Sequence, residues 1–219
     1  MVSRPRGLES WELPVAERLE LSARALPEMW PGFELLPESS RGGEPIELVP
    51  YDPGWPRRFE VWKQRLIDVL GVRADRIAHV GSTAVPGLLS KDTVDVQVSI
   101  DDIEDEGRYV PQIEALGVQL RSRDRLHRYF RPFAGLERDV HVHVCNLGSD
   151  WERRHLLFVA YLRQDAAARD RYAQAKLDAL DRWRDDRAAY TEAKDAVIHD
   201  IEVLAEEWAS STGWTPSRR

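Results

Sequence analysis

The fold is decided by RIAHVGSTAVPGLLSKDTVDVQVSI, residues 76–100. An apolar run over 77–80 ends in a Gly-Ser-Thr turn at 81–83, and after a loop containing glycine and proline a second apolar run covers 93–98. Short apolar runs bounded by turn residues are typical of buried strands. The stretch therefore predicts strand, turn, loop and strand, with Asp95 on the second strand. A backbone-rich turn beside a carboxylate suits a phosphorylated ligand and a metal.

Composition and charge limit the class of protein. The chain has 219 residues, 42% of them hydrophobic, which is enough for one packed domain with an extension. Its net charge of -7 argues against a nucleic-acid-binding protein that works by bulk electrostatic attraction. The single cysteine cannot form an intrachain disulfide, no apolar run approaches the roughly 20 residues that span a bilayer, and no signal peptide is recognisable. We therefore expect a cytoplasmic protein without nucleic acid or membrane partners. A small-molecule substrate is expected, and a homo-oligomer is compatible with the sequence.

Hydrophobic spacing divides the chain into three regions. Residues 1–45 are expected to form an N-terminal extension of one helix (14–29) and a linker, residues 46–209 the main domain, and residues 210–219 a tail. The predicted fold is α/β (α+β), with a small mixed sheet flanked by helices and a helical C-terminal third. Helices are predicted over 55–70, 101–116, 150–164, 166–183 and 185–209, and strands within 118–133 and 138–145.

The second strand of the opening stretch carries a carboxylate and an amide on one face. Alternation places Asp95 and Gln97 opposite the valines of that strand. A carboxylate within an apolar strand needs a partner, which could be Mg²⁺, Lys91 or an arginine. Gln97 offers a neutral carbonyl oxygen, a poorer Mg²⁺ ligand than a second carboxylate.

A later strand pattern carries two histidines. In RDVHVHVC, residues 138–145, the valines alternate with His141 and His143. The valine face must be the core, so we place the histidine face in the pocket. Two imidazoles on one face can share a transition metal or polarise a substrate. The alternative is a pair of hydrogen-bonded histidines on a half-exposed strand, and the spacing alone favours it over metal binding, because no third ligand is evident.

Basic residues supply candidate phosphate ligands. Five arginines lie within 121–131, and Arg128, next to an aromatic pair, is the candidate we favour for a phosphate contact. The alternative is a solvated strand face that pairs with the acidic segment 101–106. Lys194 borders the inward stripe of the last predicted helix. It could reach a phosphate, although spacing alone favours a side chain that extends along the surface to solvent.

These patterns together resemble the signature of the GrpB family. The resemblance rests on HVGSTAVPGL at 79–88, followed by Lys91 and the Val-Asp pair at 94–95. It extends over about 46–209, because later matches occur in the same order. They are Arg128-Tyr129-Phe130, His141-Val142-His143-Val144, Trp151, Arg154-His155, Phe158, Tyr161-Leu162-Arg163, Tyr190 and Ala193-Lys194.

The GrpB family is similar by fold to the nucleotidyltransferase superfamily that includes polymerase beta. In active members of that superfamily the Gly-Ser turn binds a nucleoside triphosphate and an Asp-x-Asp pair holds Mg²⁺. The resemblance therefore implies a site with nucleotide-binding residues Gly81, Ser82, Thr83, Arg128 and Lys194, catalytic residues Asp95, His141 and His143, and Mg²⁺ or Mn²⁺ ligands Asp95, Gln97 and His143. Gln97 departs from the second acid of the pair, and His141 or His143 stands in for a third carboxylate.

The implied function is that of a nucleotide-dependent, nucleotidyltransferase-like transferase acting on an unidentified small molecule. The occurrence of the family joined to dephospho-coenzyme A kinases agrees with nucleotide-related work. Two alternatives stay open. One is a small-molecule enzyme that uses histidine acid/base chemistry without nucleotide. The other is a ligand-binding module without catalysis.

Overall fold

The computed structural model of the chain describes residues 34–35, 45–133 and 136–216. The helix predicted over 14–29 and most of the predicted extension lie outside the described residues. The strands are β1 (Glu34–Leu35), β2 (Ile77–Val80), β3 (Val94–Ile100), β4 (Val118–Arg123), β5 (His127–Pro132) and β6 (Val140–Asn146). The α-helices are α1 (Trp55–Leu70), α2 (Val110–Glu114), α3 (Asp150–Gln164), α4 (Ala166–Trp183), α5 (Arg187–Glu192) and α6 (Asp195–Thr212).

The described strands form one mixed sheet in the order β1-β4-β5-β6-β3-β2. Strands β3 and β6 run parallel, and all other neighbours are antiparallel. Val80 at the end of β2 lies opposite Asp95, which in turn lies opposite His141 on β6. The register therefore brings the turn, the carboxylate and the histidines together. The predicted mixed sheet, flanking helices and helical C-terminal third are confirmed.

The valine face of the sheet forms one core with helix α1. Trp55, Phe59 and Leu66 recur at helical spacing on α1 and are at most 7% exposed. A proline in the first turn and Gly71 in the left-handed conformation bound the helix, so the prediction of a helix over 55–70 is confirmed. Because α1 covers the valines, the polar residues of β3 and β6 face the other side.

A second core closes part of that other side. Leu157 of α3, Tyr172 of α4 and Ile201 of α6 pack with Val85 and Leu88 from the loop after β2. Helix α3 also contacts both β2 and β6. The histidine face is thus enclosed between the sheet and the C-terminal helices. Within the described part of the chain, no helix is long and apolar enough to cross a bilayer.

The single helix predicted over 101–116 is wrong. A 3-10 turn at Glu106–Arg108 precedes helix α2, which begins only at Val110. Pro111 has no N–H with which to continue a helix from the preceding residues. The backbone N–H of Ile103 instead donates to the side-chain oxygen of Asn146 at 2.7 Å, which ties this segment to the end of β6.

The single helix predicted over 185–209 is also wrong, because helices α5 and α6 are separate. The backbone N–H of Lys194 donates to the carbonyl oxygen of Thr191 at 3.2 Å, a turn that closes α5 before α6 begins at Asp195. The break matters for the site, because it leaves Lys194 at the start of α6 with its side chain buried.

Candidate functional site

The centre of the site is the contact between Gly81 and Asp95. Gly81 follows β2 with φ of 69°, a conformation that glycine adopts at little cost. A Cβ atom added there would lie 2.2 Å from Oδ2 of Asp95. Glycine therefore allows the backbone to lie directly against the carboxylate, which no other residue type would do.

Two histidines hold the other side of the same carboxylate. Asp95 Oδ1 lies 3.1 Å from Nδ1 of His141 and 3.3 Å from Nε2 of His143. The parallel pairing of β3 and β6 sets this arrangement, since Asp95 is opposite His141 and Gln97 is opposite His143. The hydrogen-bond partner of the half-buried Asp95 carboxylate is therefore an imidazole pair rather than Lys91 or an arginine.

Electrostatics keep this centre as a carboxylate beside an uncharged His141 imidazole. Burial alone would raise the pKa of Asp95, but hydrogen bonds from His141 and His143 outweigh it and hold the pKa well below its usual range. Burial lowers the pKa of His141, and the hydrogen bond to Asp95 only partly opposes this. At neutral pH an ionised Asp95 thus faces a neutral His141.

The donor set fits a divalent cation. One ligand atom each from Asp95, His141 and His143 lies within 4.8 Å of the others. Gln97 lies two residues along the same face, is 1% exposed, and its Oε1 has no hydrogen-bond partner among the described residues. Two imidazoles, a carboxylate and a buried amide oxygen are groups that ligate metals in proteins.

A row of aromatic rings lies on the side of His143 that faces away from Asp95. His127 of β5 lies with Nε2 2.9 Å from Nδ1 of His143. Its ring stacks on Trp151 at 4.5 Å between centroids, and Trp151 stacks on His155 at 3.6 Å. Burial lowers the pKa of His127 well below its usual value and that of His155 to about 3. Sequence reasoning missed His127, because only the pairing of β5 with β6 brings it to the site.

Buried lysines form the cationic side of the site. Lys176 and Lys194 are 3% and 8% exposed, and Nζ of Lys176 donates to the carbonyl oxygen of Leu89 at 2.6 Å. The Nζ atoms of Lys194 and Lys91 lie 4.5 and 5.6 Å from the ring centroid of Tyr190. We call Lys91, Lys176 and Lys194 the lysine cluster. Sequence reasoning considered Lys91 and Lys194 but missed Lys176.

The lysine cluster interacts electrostatically with Asp95. Burial lowers the pKa of each of the three ammonium groups, in Lys194 to about 8, while the charge of Asp95 acts in the opposite direction. Repulsion within the cluster adds to the effect of burial, since the charges of Lys91 and Lys194 lower the pKa of Lys176. Grouped cations that burial destabilises would be stabilised by a bound anion.

A pocket of about 370 Å³ borders both His141 and Lys91. Its lining residues are Pro45, Glu47, Lys91, Asp92, Thr93, Arg138, His141 and Arg187. Three cationic side chains (Lys91, Arg138 and Arg187) and two acidic ones (Glu47 and Asp92) therefore lie on the side of His141 from which a ligand could approach.

The side chains of two further predicted residues, Ser82 and Thr83, face different sides of the sheet. Ser82 makes a side-chain hydrogen bond with Tyr172. Thr83 is fully buried, and its Oγ1 lies 2.9 Å from Nε2 of His79, whose ring stacks on Phe59 of α1. The Thr83 hydroxyl is thus engaged on the α1 side of the sheet, whereas Ser82 faces the C-terminal helices.

Arg128 lies away from the other predicted site residues. It is opposite Val144 in the sheet register, which puts it on the valine face. Its guanidinium pairs with Glu104 at 3.1 Å and with Glu106 at 2.5 Å. The alternative interpretation, pairing with the acidic segment, describes this arginine, and the structure does not bring it to the carboxylate centre.

Fold and site together define a mixed α+β protein with a carboxylate–imidazole centre beside buried lysines. The GrpB protein family model matches residues 45–203 of the chain. The chain therefore belongs to the GrpB family.

Similar proteins of known sequence and structure agree with this membership. The chain is 38% identical over 157 residues to the UPF0157 protein BH1888 of Halalkalibacterium halodurans, covering 71% of this chain and 80% of that protein. It is 31% identical over 198 residues to the dephospho-CoA kinase of Mycolicibacterium paratuberculosis, covering 78% of this chain and 49% of the kinase. The crystal structure of conserved protein GrpB from Enterococcus faecalis matches with a TM-score of 0.65 and 29% identity, covering 74% of this chain and 99% of that one.

Proposed function

We propose that this GrpB protein is a nucleotidyltransferase-like transferase that binds a nucleoside triphosphate and acts on a small molecule. The observation that carries the proposal is the contact of Gly81 with the Asp95 carboxylate, beside two histidines and the lysine cluster. A glycine turn leaves backbone amides free to approach phosphate oxygens. The acid marks where a cation would meet those phosphates.

The lysine cluster supports a polyphosphate ligand rather than a neutral one. Burying several ammonium groups together is costly without a compensating charge, and Asp95 and Asp195 together oppose the effect of burial only in part. A triphosphate would supply the remaining negative charge. In this proposal Lys194 and Lys176 neutralise phosphate oxygens, and Ser82 donates its hydroxyl to the same group. Arg128 is committed to Glu104 and Glu106 and has no part in it.

Asp95, His141 and His143, with Oε1 of Gln97, would hold a divalent cation such as Mg²⁺ or Mn²⁺. When bound, such a cation neutralises charge that develops on phosphoryl oxygens. In the transfer itself an oxygen or nitrogen of the acceptor attacks the α-phosphorus, the bond to the β-phosphate oxygen breaks, and pyrophosphate leaves. The acceptor proton passes to solvent or to a neutral imidazole of the site.

The relatives add limited support. One relative is named a dephospho-CoA kinase, and 49% of that protein aligns with this chain. A nucleotide-related ligand for the aligned half is consistent with the proposal.

The test is a thermal shift titration of the full chain with ATP, GTP, CTP and UTP, with Mg²⁺ or Mn²⁺. At 100 times Kd a ligand adds about 2.7 kcal/mol, which for a chain of this size raises Tm by about 5–10 °C. We expect this shift for the wild type and its loss in Gly81→Ala, because the added Cβ collides with Asp95. Gly107→Ala is the matched control, since Gly107 has open space around its Cα and no left-handed φ. No shift at millimolar concentration of any triphosphate contradicts the proposal.

A second candidate function is acid/base catalysis without nucleotide. It is favoured by the hydrogen-bonded pair of Asp95 and His141, in which burial lowers the pKa of the imidazole and leaves it neutral as a base. Turnover that survives chelation of metals and disappears in His141→Ala would support this candidate. Chelator-sensitive turnover, with pyrophosphate release, supports the transferase instead. Triphosphate binding without turnover of any acceptor would leave the ligand-binding module.

A further inference from the structure

One ring nitrogen of His143 faces the centre of the site, and the other ring nitrogen contacts a second histidine, His127. Nε2 of His143 faces Asp95 at 3.3 Å, and its Nδ1 lies 2.9 Å from Nε2 of His127. On its far side His127 presents Nδ1 to the carboxylate of Asp124, 3.9 Å away. Two imidazoles and two carboxylates therefore form one row from the centre of the site to the turn between β4 and β5.

This row allows the proton of His143 to occupy either ring nitrogen. With the proton on Nε2, His143 donates to Asp95, and its lone pair is on Nδ1, which faces His127 and not the cation. With the proton on Nδ1, it donates to Nε2 of His127, whose own proton then sits on Nδ1 and faces Asp124. The second arrangement frees the Nε2 lone pair of His143 beside Asp95, as a metal ligand requires.

The resulting donor set is poorly suited to Mg²⁺. Magnesium favours six oxygen ligands in a strict octahedron and retains several waters. Here two of the three converging ligand atoms are imidazole nitrogens, from His141 and His143. Imidazole suits zinc, cobalt, iron, nickel and copper, and a carboxylate and an amide oxygen complete such sets.

We propose that Asp95, His141, His143 and Gln97 bind a transition-metal cation such as Zn²⁺ or Co²⁺ in preference to Mg²⁺. We also propose that His127 acts as a positioning residue, whose Nε2 accepts a hydrogen bond from the Nδ1–H of His143 and so orients its ring. The inference names the cation class of the site on which the proposed function rests, but it requires no nucleotide.

Cobalt titration of the full chain, freed of metal by chelation, tests the cation class. Co²⁺ bound by imidazole nitrogens absorbs visible light, so binding and ligand type are read from one spectrum without any activity assay. We expect one Co²⁺ per chain, displaced by an equal amount of Zn²⁺ and retained against a 100-fold excess of Mg²⁺. Displacement by Mg²⁺ at equal concentration, or no cobalt spectrum at millimolar Co²⁺, overturns the proposal.

Histidine variants locate the metal. His143→Ala and His141→Ala are each expected to abolish the cobalt spectrum, whereas His199→Ala, which changes an exposed histidine of α6, leaves it unchanged. Circular dichroism checks that each variant is folded. A spectrum that survives in both folded site variants assigns the metal elsewhere and overturns the proposal.

A matched pair of substitutions tests the positioning role of His127. His127→Phe keeps a ring to stack on Trp151 but removes the acceptor, whereas His127→Gln keeps an acceptor for the Nδ1 proton. Loss of a hydrogen-bond partner of a metal-binding histidine costs about 10–100-fold in metal affinity. We expect that loss for His127→Phe and a recovery of most of the affinity in His127→Gln. Equal Co²⁺ affinity in wild type and His127→Phe overturns the positioning role.

Different experimental results would contradict the proposed function and this inference. Cobalt binding without any triphosphate-induced shift removes the transferase proposal and keeps the metal site. A triphosphate shift that depends on Mg²⁺, without cobalt binding, keeps the transferase and removes the metal preference.

Discussion

A side chain at residue 81 would occupy the space taken up by the Asp95 carboxylate. The contact between the Gly81 backbone and this carboxylate therefore requires glycine. The local sequence predicts it, because the turn and the acid lie on neighbouring strands of one short stretch. The need of Asp95 for a partner was also predictable, but the identity of the partner was not. His141 and His143 reach it only through the pairing of β3 with β6.

The sequence around other site residues does not indicate that they belong to the site. His127 comes to His143 across the antiparallel pairing of β5 and β6. Lys176 lies on the amphipathic helix α4, where a lysine ordinarily indicates a solvated face, yet it is 3% exposed and bonded to Leu89. Both depend on contacts between residues distant in sequence, which periodicity cannot show.

The half-buried His155 makes stability depend on pH. Burial lowers its pKa to about 3 in the folded protein, below the value of 6.5 in the unfolded chain. The unfolded state therefore binds the proton first, and stability falls as pH drops from 6.5 towards 3, by up to about 1.4 kcal/mol per unit for this group. His155→Phe, which keeps a ring against Trp151, should show a shallower loss in urea unfolding at pH 7, 6 and 5. An unchanged slope relative to wild type, with His199→Ala as control, would count against a half-buried neutral His155.

Lys194 should make triphosphate binding depend on pH above neutrality. Its pKa is lowered to about 8, chiefly by burial, so it loses its positive charge as pH rises past that value. Affinity for a triphosphate, measured by calorimetry, is expected to fall between pH 7 and 9. Lys194→Arg keeps its charge throughout this range and should flatten the profile, whereas Lys63→Arg on helix α1 should not. A wild-type affinity that is constant from pH 7 to 9 would exclude Lys194 from the phosphate contact.

At the scale of elements, hydrophobic spacing predicted those helices and strands whose burial pattern is regular. Helix α1 and strand β6 agree with their predictions because one face of each is apolar and is buried in the core. The segment 101–116 was mispredicted because its acidic side chains pair with arginines of β4 and β5 instead of forming one exposed helical face. Hydrophobic spacing cannot distinguish an exposed helix from a segment whose acids pair with arginines, since both place the charged side chains away from the core.

Arg128 is expected to act on stability and not on the site. Its guanidinium is 3% exposed and pairs with Glu104 and Glu106. Hydrogen bonds to charged groups contribute about 1.5–3 kcal/mol, so Arg128→Ala should lower the free energy of unfolding by about 2–3 kcal/mol. The triphosphate-induced shift in Tm should persist in this variant.

Arg108→Ala serves as control for that experiment, because the side chain of Arg108 is 84% exposed. Exposed ion pairs contribute less than about 1 kcal/mol, so the change in unfolding free energy should be small. Loss of triphosphate binding in a folded Arg128→Ala protein would show that this arginine contributes to the site after all.

At the scale of the whole molecule, the site lies where two cores meet. Helix α1 covers the valine face of the sheet, and α3, α4 and α6 pack beside the histidine face. The sheet supplies the carboxylate and imidazoles, while the loop after β2 and the C-terminal helices supply the lysine cluster. The mixed sheet and helical C-terminal third were predictable from the order of elements, whereas the convergence of lysines from three separate segments was not.

The most direct test of the central claim is a crystal structure of the protein grown with a non-hydrolysable nucleoside triphosphate and Mn²⁺, with the cation located by its anomalous scattering. We expect phosphate oxygens against the backbone of Gly81 and Ser82 and within hydrogen-bond distance of Lys194. We also expect Mn²⁺ between Asp95, His141 and His143. A nucleotide bound elsewhere, or a Gly81 turn that stays empty at millimolar triphosphate, would contradict the central claim.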